Sequence, residues 1–179
     1  MLTKCFQIPE NLLGDNLRMR IPDFSAADPC FRKDFELEPN ERWTMNETAK
    51  AQFEQKYVVT QDVTISFMGP DVTPVLSTPA LIMWLELAAR EAVCPLMGLD
   101  EDTVGTAVDV KHLAATPLGM AVTVRAKLVG AEGRLFNFEV EAFDQAEKIA
   151  EGTHQRARVS ISRFADRVRK KLQAQLPGS

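Results

Sequence analysis

The chain has 179 residues, 45% hydrophobic and 26% charged, with a formal net charge of −4. That apolar content supports one sizeable core, so one domain with extensions is expected. The acidic balance argues against nucleic acid or an anionic membrane as the main partner. No apolar run approaches the roughly 20 residues of a membrane helix, and the first ten residues lack the continuous apolar stretch of a secretion signal.

Cys5, Cys30 and Cys94 are widely spaced, and with only two histidines in the chain they cannot build a zinc-type cluster. No metal is expected, and reduced thiols in a cytoplasmic protein fit best.

In chain order, residues 1–55 scatter Pro, Asn and acidic side chains without a sustained period and read as an irregular N-terminal extension. From Lys56 to Phe67 the β-branched residues Val58, Val59, Thr60, Val63, Thr64 and Ile65 predict a strand, broken by the run from Gly69 to Pro74. A helix follows from Ser77-Thr78-Pro79, where Thr78 can cap and Pro79 suits the first helical position, and Pro95 stops it after about Val93. Its stretch Ala80–Ala89 is apolar apart from Glu86 and reads as buried all round.

Four strands are expected next, at 104–113, 119–130, 134–144 and 147–162, with Gly119, Gly133 and 144–147 as breaks. Val122, Val124, Ala126 and Leu128 oppose Thr123, Arg125 and Lys127; Phe136, Phe138, Val140 and Ala142 oppose Asn137, Glu139 and Glu141. Each strand therefore has one wet face. A strand, an apolar helix and a four-strand meander make an α+β protein in which an antiparallel sheet curls around a helix, the hotdog plan. The domain is set at 56–165, and the basic tail 166–179 reads as part of a solvated surface helix beginning after Ser162.

Glu86 is the residue most in need of a partner or a task, because an ionised carboxylate in apolar surroundings is costly. A helical pair with Arg90, four residues on, would contribute only about 0.2–0.5 kcal/mol. At the mouth of a cleft the same carboxylate is a usable base or nucleophile. His112 shares strand parity with Val108 and Val110 and is expected to point inward, toward the helix. His154 shares parity with Arg156 and Arg158 and reads as a surface or cleft-rim residue. Eight helical residues separate Thr78 from Glu86, about 12 Å of rise. A site using both needs either a segment folded back before the helix or a second subunit, and the dimer is the favoured expectation.

Taken together, Leu76-Ser77-Thr78, Glu86, Val104-Gly105-Thr106-Ala107, His112-Leu113-Ala114-Ala115-Thr116-Pro117 and Glu151-Gly152-Thr153-His154-Gln155-Arg156 resemble the fluoroacetyl-CoA thioesterase family over about 57–165. The resemblance implies a homodimeric hotdog fold that hydrolyses acyl-CoA thioesters without a metal or other cofactor, CoA being part of the substrate. It implies Thr78, Glu86 and His112 as the catalytic group, Glu86 attacking or activating water and His112 managing the proton, with Gly105 near the thioester carbonyl. Arg156 is implied as an anchor for the CoA end. Near Gly69 and Val72, where the family carries aromatic gate residues, this chain has small or aliphatic ones, and Val72 is taken as substrate-facing. The expected substrate is a short or medium acyl-CoA. A non-catalytic acyl-CoA-binding module or a CoA-ester hydratase is the alternative on the same fold.

Overall fold

In a computed structural model of the chain, the residues described are 51–67 and 69–174. Nearly all of the expected N-terminal extension and the end of the basic tail lie outside them.

The first strand, β1, is Gln52–Val58, followed by a 3-10 turn at Gln61–Val63 and two short strands, β2 (Thr64–Ile65) and β3 (Val75–Leu76). The single strand expected over 56–67 is thus divided. Thr64 Oγ1 donates to Gln61 O at 2.8 Å, a local hydrogen bond that favours a turn where β-branching favoured extension. Then come helix α1 (Thr78–Val93), the strands β4 (Glu101–His112), β5 (Ala121–Glu132), β6 (Leu135–Phe143) and β7 (Lys148–Ser160), and helix α2 (Ile161–Gln173). Gly133 has φ +58°, the left-handed conformation that lets two residues turn β5 into β6.

The five long strands form one antiparallel sheet in the order β1-β5-β6-β7-β4. Its inner face carries Val122, Val124 and Leu128 of β5, Phe138 and Val140 of β6 and Ile149 of β7, all buried. Against them α1 buries Leu81, Trp84, Leu85, Ala88 and Ala89, each large aliphatic contributing about 1.5–3 kcal/mol. Trp84 stacks on Tyr57 of β1, ring centroids 4.6 Å apart and planes 4° from parallel, which fixes the rotation of the helix on the sheet.

Burial on α1 is one-sided, contrary to the expectation of a helix covered all round. Ile82, Met83, Glu86 and Leu87 lie on or beside the face turned away from the sheet and are half-buried. The sheet of one chain covers only one side of the helix. At the edge of the sheet, β4 pairs with β7 alone, and its residues Gly105–Asp109 are exposed. Cys94, directly after α1, is disulfide-bonded, which corrects the expectation of reduced thiols. Among the described residues no helix is long and apolar enough to cross a membrane.

Candidate active site

Helix α1 begins with a division of labour between two hydroxyls. Ser77, not Thr78, is the N-cap: its side chain accepts from Ala80 N at 3.4 Å. Thr78 is the first helical residue, so its hydroxyl is free of the capping role expected for it. The segment after His112 clasps the chain leading into the helix: Leu76 N donates to Thr116 O at 2.8 Å and Leu118 N to Pro74 O at 2.9 Å. The buried Thr116 donates its hydroxyl to Asp144 Oδ2 at 3.1 Å. The Ala-Ala-Thr-Pro run therefore carries β4 past the helix start.

That clasp places Thr78 Oγ1 2.9 Å from His112 Nδ1. His112 Nε2 is enclosed and has no hydrogen-bond partner among the described residues. Burial holds this imidazole below its ordinary pKa, with the main chain of Ala114 opposing. A neutral ring beside a hydroxyl is a base beside a candidate nucleophile.

The carboxylate belongs to a second cluster. Arg156 Nη1 donates to Glu86 Oε1 at 3.1 Å and to Glu86 O at 3.2 Å, while Nε and Nη2 donate to Thr103 Oγ1 and Thr103 O at 2.8 and 2.7 Å. The Arg156 side chain is 4% exposed and that of Glu86 45%. Gly105 of β4 lies against this pair: a Cβ there would come within 2.7 Å of Glu86 Oε1 and 3.3 Å of His154 Cε1. Only a glycine admits the carboxylate so close to the strand.

Several expectations change with this geometry. Glu86 does not take Arg90, which turns to Asp102 and Glu91. Arg156 gives its donors to Thr103, His154 and Glu86 and holds the carboxylate. His154 is buried at 4% exposure, not on the rim; its parity with the inward Ala150 and Gly152 was the available signal, and the neighbouring arginines masked it. Val72 lies on an exposed turn that closes from its amide to Gly69 O.

Within one chain Thr78 and His112 are brought together, as are Glu86, Gly105 and Arg156, but the two groups remain apart. Eight residues of α1 span about 12 Å, and the seven steps of β4 from Gly105 to His112 span about 23 Å. Among the described residues no cluster of three His, Cys, Asp or Glu is arranged to hold a metal ion.

A sheet wrapped on a long helix, with a hydroxyl–imidazole pair at the helix start and a carboxylate two turns on, defines a hotdog-fold thioester hydrolase. The chain belongs to the fluoroacetyl-CoA-specific thioesterase family, whose sequence model matches residues 59–162. It is 34% identical over 129 residues to the fluoroacetyl-CoA thioesterase of Streptantibioticus cattleyicolor, covering 69% of this chain and 93% of that protein. A solved structure of the fluoroacetyl-CoA thioesterase FlK superposes with a TM-score of 0.62 at 34% identity, over 67% of this chain and 93% of that one. A thioesterase superfamily member from Thermus thermophilus superposes at 0.61 with 27% identity, over 69% and 94% of the two chains. A hot-dog-like protein from Thermanaerovibrio acidaminovorans shares the fold, with a TM-score of 0.64 at 23% identity over 70% and 95%.

Proposed function

We propose that this acyl-CoA thioesterase acts on a short or medium acyl group at a site built from two copies of the chain. Thr78 and His112 come from one copy, and Glu86, Gly105 and Arg156 from the other. The contact between Thr78 Oγ1 and His112 Nδ1 carries the reading. The hydroxyl attacks the thioester carbonyl carbon and its proton passes to His112. The C–S bond then breaks, and the departing CoA thiolate takes that proton. Water, losing its proton to the Glu86 carboxylate, next attacks the threonyl ester carbonyl; the bond to the Thr78 oxygen breaks, that oxygen takes the proton back from Glu86, and the acid leaves. The Gly105 amide faces the carbonyl oxygen as charge develops on it. Nothing in this sequence of steps requires a metal.

The edge strand supports the second copy. A long exposed edge such as Gly105–Asp109 is a template for pairing. An antiparallel pairing of β4 with its own copy, centred between Val108 and Asp109, sets Gly105 of one protomer opposite His112 of the other.

The experiment is CoA release from acetyl-, fluoroacetyl-, butyryl- and hexanoyl-CoA by wild type, His112→Ala and Glu86→Gln. Turnover by wild type and its collapse in both variants supports the assignment. Unchanged activity in both removes these residues from the chemistry, and binding of every thioester without turnover makes the protein a binding module.

A further inference from the structure

We propose that His154 is a positioning residue for the carboxylate half of the site, tying the irregular stretch of β4 at Gly105–Ala107 to the Arg156–Glu86 pair. The inference rests on the reading above that Glu86 and Gly105 face the substrate.

The ladder between β4 and β7 slips at this point. Gly105 is opposite Arg156 and Ala107 is opposite Gln155, leaving Thr106 between them without a ladder partner. Irregularities of this kind re-aim a strand beside a site and must be held, because the displaced residue has lost its ladder bonds. Two side chains of β7 hold this one. Gln155 receives the Thr106 hydroxyl at its main-chain O and at Oε1, 3.1 and 3.0 Å away. His154 reaches Ala107 O with Nδ1 at 2.8 Å.

A carbonyl oxygen only accepts, so Nδ1 of His154 carries the ring proton and Nε2 presents a lone pair. That lone pair is 3.4 Å from Arg156 Nη1, the nitrogen that also donates to Glu86 Oε1. The connection runs from Ala107 O through the neutral imidazole and the guanidinium to the Glu86 carboxylate, with Cε1 of the ring against Gly105. Phe138 of β6 backs the ring, centroids 6.4 Å apart. The imidazole thus sets the spacing between the strand that offers the Gly105 amide and the helix that offers Glu86. Asp102 already ties β4 to α1 through Arg90, and the imidazole supplies the link beside Gly105, which has no side chain of its own. Burial and the adjacent Arg156 hold the ring below its ordinary pKa, against the Ala107 O hydrogen bond and the Glu86 charge.

The test uses His154→Asn, which retains a donor toward Ala107 O, and His154→Phe, which retains a ring and removes both polar contacts. With acyl-CoA the Phe variant should lose about tenfold or more in kcat while KM changes by less than about threefold, since misplaced groups weaken the transition state more than substrate binding. The Asn variant should recover most of that loss. Nitrogen-15 spectra of the wild type should show His154 as the neutral Nδ1–H tautomer, and the Gly105 and Ala107 amide signals should move in His154→Phe and return toward wild type in His154→Asn. An Nε2–H tautomer, unmoved amides, or equal loss of kcat in both variants in proportion to lowered melting temperature overturns the proposal. Wild-type inactivity on every thioester overturns the active-site reading instead, and the spectra still decide whether His154 sets the strand.

Discussion

Thr78 Oγ1 lies 2.9 Å from His112 Nδ1 although 34 positions separate the two residues, and the neighbouring Ser77 alone caps the helix. The proposed chemistry and the helix cap therefore fall to adjacent hydroxyls and can be separated. Thr78→Val should reduce kcat on the order of 10²–10⁴-fold and leave the melting temperature near that of wild type. Ser77→Ala should cost about 1 kcal/mol of stability and leave kcat nearly intact. Thiol-release kinetics and thermal melts of the two proteins check this.

The pH dependence follows from both histidines. His112 and His154 are each held below the ordinary value of 6.5, burial being the largest cause in both. The unfolded chain therefore takes up protons at a higher pH than the folded one. The stabilisation is fully present above 6.5 and is lost as pH falls through the window between 6.5 and the folded values. In the proposed mechanism His112 is the base, so the acid limb of kcat/KM should have its midpoint below 6.5. A rate profile and melting temperatures from about pH 8 to about pH 5 measure both effects, and a midpoint above the ordinary histidine value would contradict the burial argument.

Two glycines should respond in opposite ways. A Cβ at Gly105 meets the end of the flexible Glu86 side chain at 2.7 Å, so Gly105→Ala should fold and lose activity as the carboxylate is pushed aside. A Cβ at Gly152 comes within 2.1 Å of Asp109 O, which is backbone and cannot yield without opening the β4–β7 ladder. Gly152→Ala should cost about 1–3 kcal/mol or more. Urea titrations and thiol release on the two variants distinguish a displaced carboxylate from a strained sheet.

Much of this architecture was legible in the sequence because it rests on period. The alternation in β5 and β6, and the capped, proline-terminated run of α1, gave the sheet, the helix and their order. Glu86 stood out for its apolar surroundings, and His112 for its parity with Val110. The rest depends on contacts that are distant along the chain. The partner of Glu86 is Arg156, 70 positions away, and no helical spacing rule points to it. His154 shares its parity with charged Arg156 and Arg158 and so reads as wet in the sequence, yet Thr103 and Glu86 satisfy donors of Arg156 and allow both side chains inside. Ser77 and Thr78 offer the same hydroxyl chemistry, so the sequence alone does not separate the cap from the first helical residue.

The central claim is that each site takes Thr78 and His112 from one protomer and Glu86 from the other, and subunit complementation tests it most directly. Thr78→Val and Glu86→Gln chains carrying different tags are co-expressed and the mixed dimer is isolated. One of its two sites then contains every wild-type group, so about half of wild-type activity should return although each homodimer is inactive. A mixed dimer as inactive as its parents would show that each protomer supplies its own site, contradicting the account.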